Sequence, residues 1–195
     1  MRSLPALASI ALLVCACADV PEDGPAAAPI VSADLDGRLH RPLAPPEGVA
    51  HVLLFVTVDC PIANGYAPTI RALIEGHGDQ PLSFFLVHVD PDVTPEIARS
   101  HAIDYGLDGA APILLDRDHR LVAATGAEIT PEAVVRTTAG TVYKGRIDNL
   151  WGDIGKRRGR PSQHDLRDAL AAVVDGRPVV RPWPAPVGCN IPTLW

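Results

Sequence analysis

Apolar positions along this chain change period repeatedly, and each change marks an element. The run His51-Val-Leu-Leu-Phe-Val-Thr57 is nearly unbroken, which predicts a strand buried on both faces over 51–57. A helix is predicted over about 65–77, a second buried strand over about 82–89 (Leu82-Ser-Phe-Phe-Leu-Val-His-Val89), and a second helix over about 94–105. That second helix has a clear start, with Thr94 as N-cap, Pro95 at the first helical position and Glu96 in the first turn. Two buried strands linked by a helix imply a parallel pair with a right-handed crossover.

The second half reads differently. After Ala111-Pro112 a short strand Ile113-Leu-Leu115 leads into Asp116 to Gly126, a short helix ended by its glycine. Beyond Thr130-Pro131, the runs Glu132–Thr138 and Thr141–Ile147 flank a tight turn at Ala139-Gly140, the pattern of an antiparallel hairpin. A closing amphipathic helix is predicted over about 162–174, with Ser162 as N-cap and Leu166, Ala169, Leu170, Val173 and Val174 on one face. Near the start, Val31 to His40 holds two short extended pieces around an Asp36-Gly37 turn. Parallel strands first, then a hairpin and a last helix, predict an α/β sandwich.

Composition narrows the setting. With 195 residues, 47% of them hydrophobic, and a formal net charge of -6, the chain suits one domain of ordinary size and excludes nucleic acid as an expected partner. Met1-Arg2-Ser3 followed by the apolar run Leu4–Val14 has the form of an export signal, too short for a comfortable membrane span. Its end, Leu13-Val-Cys-Ala-Cys-Ala-Asp19, resembles a bacterial lipoprotein cleavage site with Cys17 as the lipidated residue, a plain cleaved signal being the alternative. The expected organisation is thus a signal at 1–17, a flexible tether at 18–29 rich in Ala, Pro, Glu and Asp, a domain at 30–176 and a Pro-rich tail at 177–195. The expected location is the bacterial cell envelope, with a lipid anchor to the membrane.

Four cysteines are present, and removing Cys15 and Cys17 with the targeting segment leaves Cys60 and Cys189. In an oxidising compartment such a pair invites a disulfide, although nothing in the sequence alone proves it. Cys60 falls between the first long strand and the following helix, where free backbone N–H groups and the helix dipole stabilise a thiolate. The bland alternative is an inert buried thiol. Ala63 stands where a CxxC motif needs its second cysteine, and Asn64 excludes CxxxC. Thr57 can donate its hydroxyl to a thiolate, whereas Asp59 would raise the thiol pKa unless it points away. Seven scattered histidines form no HxH or HxxxH pair, and the cluster Lys156-Arg-Arg-Gly-Arg160 reads as a solvated loop. Trp151, Trp183 and Trp195 read as packing residues, and no phosphate loop, zinc spacing or Ser/His/Asp order is visible.

The segments Phe55-Val-Thr-Val-Asp-Cys-Pro-Ile-Ala-Asn64 and Gly126-Ala-Glu-Ile-Thr-Pro-Glu-Ala-Val-Val135 resemble the redoxins of the alkyl hydroperoxide reductase and thiol-specific antioxidant branch, a peroxiredoxin-like group. The resemblance spans about 30–176 and implies a thioredoxin-like fold, α/β with a central mixed sheet flanked by helices. It implies a cis-proline at Pro131 beside the reactive cysteine. Thr57 matches the family's threonine three residues before the peroxidatic cysteine, while Leu53 replaces the proline of that motif. Arg136 is the best match for the family's catalytic arginine, and Cys189 corresponds to a tail resolving cysteine. The implied activity is exported, cofactor-free, thiol-dependent reduction of peroxides or protein disulfides through Cys60, with peroxidase chemistry ahead of disulfide exchange and an unidentified thiol as electron donor. The alternative is a non-catalytic module of the same fold that binds copper or a partner protein through Cys60 and Cys189.

Overall fold

The computed structural model describes residues 29–194, so the export signal, Cys15, Cys17 and nearly all of the tether lie outside the described residues. The first described elements are a small antiparallel pair, β1 (Ser32–Ala33) and β2 (Leu39–His40), which turns where Asp36-Gly37 indicated. Gly37 there adopts φ 81°, a left-handed conformation that side-chain-bearing residues resist.

The body of the domain follows in chain order. β3 (Ala50–Val56) is buried along its whole length and leads to α1 (Pro61–Gly76), β4 (Leu82–His88), α2 (Pro95–Asp104) and β5 (Ile113–Leu115). Then come α3 (Arg120–Thr125), β6 (Ile129–Thr130), β7 (Glu132–Thr137) and β8 (Gly140–Gly145). The last are β9 (Trp151–Asp153), β10 (Lys156–Arg157), α4 (Asp165–Val174) and β11 (Cys189–Asn190).

The central sheet runs β5-β4-β3-β7-β8, parallel across β5, β4 and β3 and antiparallel across β3, β7 and β8. Alternate residues of β3 serve opposite layers, as the pleat requires. Val52, Leu54 and Val56 pack with Ile62, Tyr66 and Ile70 of α1, Ala98 of α2 and Leu170 of α4. Leu53 and Phe55 pack with Phe85, Val87, Leu114, Val134 and Leu121 of α3 on the other face. Each such side chain contributes roughly 2 kcal/mol by leaving water. The two layers explain why β3 lacks polar alternation.

The predicted elements all occur, with shifted ends. α1 begins at Pro61 rather than near 65, because proline presets the first helical turn and Cys60 caps it. α2 starts as expected, with the Thr94 hydroxyl accepting from Ile97 N at 3.3 Å. α3 is shorter than 116–126, since the buried Asp116 carboxylate caps it from outside, accepting from Leu121 N at 3.0 Å and Val122 N at 2.9 Å. α4 begins at Asp165 without a side-chain cap. Ser162 instead closes the preceding loop, donating its N–H to Asn149 Oδ1 at 2.8 Å and accepting from Asn149 Nδ2 at 2.9 Å. The basic cluster, expected to be loop, lies partly in the β9–β10 hairpin, and β11 pairs with β6 where the sequence carried no strand signal.

Candidate active site at Cys60 and Cys189

The β3–α1 turn places Cys60 as the N-cap of α1, with its sulfur accepting from Ala63 N at 3.3 Å. The turn is clamped from behind. Val58 N donates to Asp90 Oδ2 at 3.2 Å, Asn64 Nδ2 donates to Val58 O at 2.9 Å, and Asn64 Oδ1 lies 2.8 Å from His101 Nε2. Because the Asn64 amide donates to Val58, its oxygen faces the imidazole, and His101 carries its proton on Nε2. Cys60 is 1% exposed.

The antiparallel register of β3 and β7 sets Phe55 opposite Glu132, so the cis Thr130–Pro131 peptide arrives beside Cys60. As a thiol, Cys60 donates to Thr130 O at 3.1 Å. The tail then completes the site. β11 adds antiparallel to β6 with Cys189 opposite Thr130, and Ile191 N donates to Glu128 O at 2.9 Å. Gly188 makes that approach possible, because a Cβ there would overlap the Thr130 carbonyl. Gly145 does the same for Pro184 earlier in the tail, where Arg146 N donates to Pro184 O at 3.1 Å.

Both cysteines are free thiols in this arrangement, and both meet the Thr130 segment, Cys60 through the Thr130 carbonyl and Cys189 opposite Thr130 in register. Their acidities are driven apart. Burial pushes Cys60 up, but the Cys189 thiol, the Ala63 N–H, the Thr130 side chain and the Cys189 backbone together hold it below the ordinary thiol value. Burial, and then the hydrogen bond and charge of Cys60, push Cys189 up to about 11. The shifts favour the thiolate form of Cys60 and the thiol form of Cys189.

Of the sequence-predicted residues, Cys60, Cys189 and Pro131 come together. Thr57 is next to them, but its hydroxyl meets Thr130 Oγ1 at 3.0 Å rather than the sulfur, so it supports the loop that supports the thiol. Arg136 does not reach the site. It pairs in register with His51 at the far end of β3, with Nη1 on Thr141 Oγ1 at 3.0 Å and Nη2 on Leu43 O at 3.3 Å. Asp59 is exposed and lines an open groove together with Asp90 and Asp92, a groove that Cys60 does not line. No histidine stands ready as a third ligand: among the described residues, no three or more His, Cys, Asp or Glu side chains converge as a metal site would require. Sequence reasoning missed Thr130, Gly188, Asn64 and His101. Only Thr130, adjacent to Pro131, carried a signal.

A structure of an uncharacterised conserved protein from Geobacillus kaustophilus matches with a TM-score of 0.72 and 24% identity, over 86% of this chain and 90% of that one. A hypothetical protein from Sinorhizobium meliloti matches at 0.69 and 24%, over 85% and 91%. A secreted Mycobacterium tuberculosis disulfide oxidoreductase homologous to E. coli DsbE matches at 0.52 and 19%, over 76% and 96%. This chain has the thioredoxin-like fold. No family model and no curated protein matches it.

In this chain the start of α1 carries a single cysteine, Cys60, and the second thiol of the described residues comes from the tail. No helix among the described residues is long and apolar enough to cross a membrane.

Proposed function

We propose that this protein is a thiol–disulfide oxidoreductase whose redox pair is Cys60 and Cys189. The observation that carries the reading is the β11–β6 pairing, which sets Cys189 opposite Thr130, the residue whose carbonyl accepts from the Cys60 thiol at 3.1 Å at the start of α1; the acidities of the two thiols are shifted in opposite directions. In this reading Cys189 supplies what the missing CxxC would have supplied. The disulfide oxidoreductase from M. tuberculosis and the thiol-disulfide oxidoreductase domain from Bacteroides vulgatus among the structural matches support the same chemistry.

The Cys60 thiolate attacks one sulfur of a substrate disulfide, forming a mixed disulfide and expelling the other sulfur as a thiolate. Cys189 passes its proton to that leaving thiolate and then attacks Cys60 Sγ. The Cys60–Cys189 disulfide forms, the second substrate sulfur departs, and two electrons have moved from the pair to the substrate. A thiol reductant returns the pair to its dithiol state. Cys60 is covered by the tail, so substrate entry requires β11 to lift. That strand spans two residues, and local opening of so small a unit is easy.

Peroxide reduction uses the same pair and is the second reading, supported by the lowered pKa of Cys60 and by Thr57 beside it. There the thiolate takes one peroxide oxygen to give a sulfenic acid and an alcohol, and Cys189 condenses with it to release water. An export signal ending at Cys17 fits both readings and would place the domain in the cell envelope on a lipid anchor.

Thiol counting with disulfide mapping tests the function. One equivalent of oxidised glutathione or of hydrogen peroxide should remove both thiols and yield a Cys60–Cys189 linked peptide. Comparison of the two rates decides between the readings. Catalytic turnover that survived Cys60→Ser would overturn both.

A further inference from the structure

Glu132 is a buried acidic side chain that the proposed chemistry does not use. It follows the cis Thr130–Pro131 bond at the start of β7, on the same face of that strand as Val134, where the packed layer is apolar. There it is 2% exposed and lies opposite Phe55. A carboxylate in such a layer is costly unless its oxygens are hydrogen-bonded. Glu132 meets that need by folding back on the segment before it. Oε2 accepts from Glu128 N at 2.9 Å and from Ile129 N at 3.4 Å, and Oε1 lies 3.9 Å from Nζ of Lys144. Lys144 also donates to Gly126 O, so side chains of β7 and β8 together grip residues 126, 128 and 129.

The grip matters because of what the same segment carries. Its N–H groups go to Glu132, while its carbonyls and the Thr130 hydroxyl go to the thiols and the tail. Glu128 O accepts from Ile191 N at 2.9 Å, Thr130 O accepts from the Cys60 thiol at 3.1 Å, and Thr130 Oγ1 donates to Cys189 O at 3.4 Å. β11 and β6 form a two-stranded sheet of two residues each, separate from the central one. So small a ladder cannot fix its own position. Thr57 steadies the Thr130 side chain, with 3.0 Å between the two hydroxyl oxygens, and Glu132 steadies the backbone that precedes it.

We propose that Glu132 is a positioning residue for both thiols: by holding the N–H groups of Glu128 and Ile129, it fixes the segment on which Cys60 rests and Cys189 docks. The role rests on the oxidoreductase reading and adds to it the group that keeps the resolving cysteine in register. A strand that lifts for substrate and then returns needs a template that stays in place, and small misplacements of reacting groups are expensive in rate. The role requires an acceptor oxygen at the reach of Glu132, and not its charge. Glutamine offers such an oxygen, whereas aspartate falls one methylene short.

The test compares the unmodified protein with Glu132→Gln and Glu132→Asp. Each is reduced, mixed with oxidised glutathione and quenched with acid, and intact mass separates the Cys60–glutathione adduct from the closed Cys60–Cys189 disulfide. Closure is attack of the Cys189 thiolate on Cys60 Sγ, which expels glutathione as its thiolate and leaves the intramolecular disulfide. It should be about tenfold slower in Glu132→Asp and within about twofold of the unmodified rate in Glu132→Gln, as a displaced template implies. The thiolate titration of Cys60, followed by absorbance, should move up in Glu132→Asp and stay in place in Glu132→Gln, a shift that loss of stability alone would not cause. Closure and titration unchanged in Glu132→Asp, or Glu132→Gln as impaired as Glu132→Asp, would overturn the positioning role while leaving the oxidoreductase reading standing. Should Glu132→Asp fail to fold, hydrogen exchange in the unmodified protein decides. The Glu128 and Ile129 amides should be protected on the order of a hundredfold over exposed loop amides, and exchange at loop rates would overturn the role. If the unmodified protein forms no Cys60–Cys189 disulfide at all, the oxidoreductase reading falls and the positioning role with it.

Discussion

Cys60 and Cys189 both meet the Thr130 segment, yet the fold holds them by opposite means. Cys60 belongs to the core: it caps α1, is 1% exposed, and its turn is clamped by Asp90, Asn64 and His101. Cys189 belongs to a two-residue strand near the end of the chain, half-buried and held on β6 by a few backbone contacts. A nucleophile benefits from a fixed setting, since hydrogen-bond donors stabilise a thiolate only where they are held in place. A resolving thiol must do the reverse, yielding space to a substrate and then returning. The contrast teaches that, in the proposed mechanism, thiols drawn from distant chain segments divide rigidity and mobility between them, which a CxxC pair on one helix cannot.

The largest effects should come from removing either sulfur, and they should differ in kind. Cys60→Ser should reduce turnover to background with no covalent intermediate. Cys189→Ser should also stop turnover but accumulate a Cys60 mixed disulfide with the substrate, visible by intact-mass measurement. Identical behaviour of the two variants would break the division of roles.

Next in size is Gly188→Ala. The added Cβ overlaps the Thr130 carbonyl, so β11 must detach or shift, at an expected cost of about 1–3 kcal/mol to docking of the tail. Cys189 should become markedly more reactive towards iodoacetamide, while the melting temperature of the core changes little. An unchanged Cys189 labelling rate would show that the tail is not held by this contact.

A third expectation concerns pH. Thiolate absorbance should titrate in two waves, one below the ordinary 9.0 assigned to Cys60 and one near 11 assigned to Cys189. In Cys189→Ala the first wave should rise as Cys60 loses its largest donor, and in Cys60→Ala the second should fall towards 9.0. The stability signs are opposite. The folded-state value of Cys60 is depressed, so its contribution is present above pH 9.0 and is lost as pH falls through the lowered value. The value of Cys189 is raised, so its contribution is present below pH 9.0 and is lost as pH climbs towards about 11. A single wave at 9.0 would erase the distinction between the two thiols.

The smallest effect should be that of Thr57→Val. Its hydroxyl bonds to Thr130 and not to sulfur, so the loss should be about 1 kcal/mol of stability with only a modest change in rate. A loss of turnover comparable with that of Cys60→Ser would place Thr57 on the reacting atoms after all.

Much of this arrangement was legible in advance because its causes are local. Apolar β3 and β4, the Thr94-Pro95-Glu96 helix start and the β7–β8 hairpin follow from side-chain period, capping and turn chemistry, all of which act over a few residues. The junction position of Cys60 was legible for the same reason. Arg136 shows the limit: chain proximity to Pro131 suggested a role, but the strand carries it to the His51 end of the sheet, away from the thiol. Asn64 shows another, since it counted only as a break in CxxxC and proved to clamp the turn that holds Cys60.

By itself, then, the sequence determined the layered α/β scaffold, the single cysteine at a helix start and the absence of a neighbouring partner, because propensity, pattern and capping are properties of short segments. Tertiary structure alone brought Cys189 to the Thr130 segment that Cys60 also meets. The pairing of β11 with β6 joins segments some fifty-nine positions apart, as the Thr130–Cys189 contact spans. It depends on a shape match, Gly188 under the Thr130 carbonyl, that leaves no periodic trace in the chain. The opposed acidities of the two thiols come from that meeting too, because burial and hydrogen bonding exist only once the distant segments are packed together.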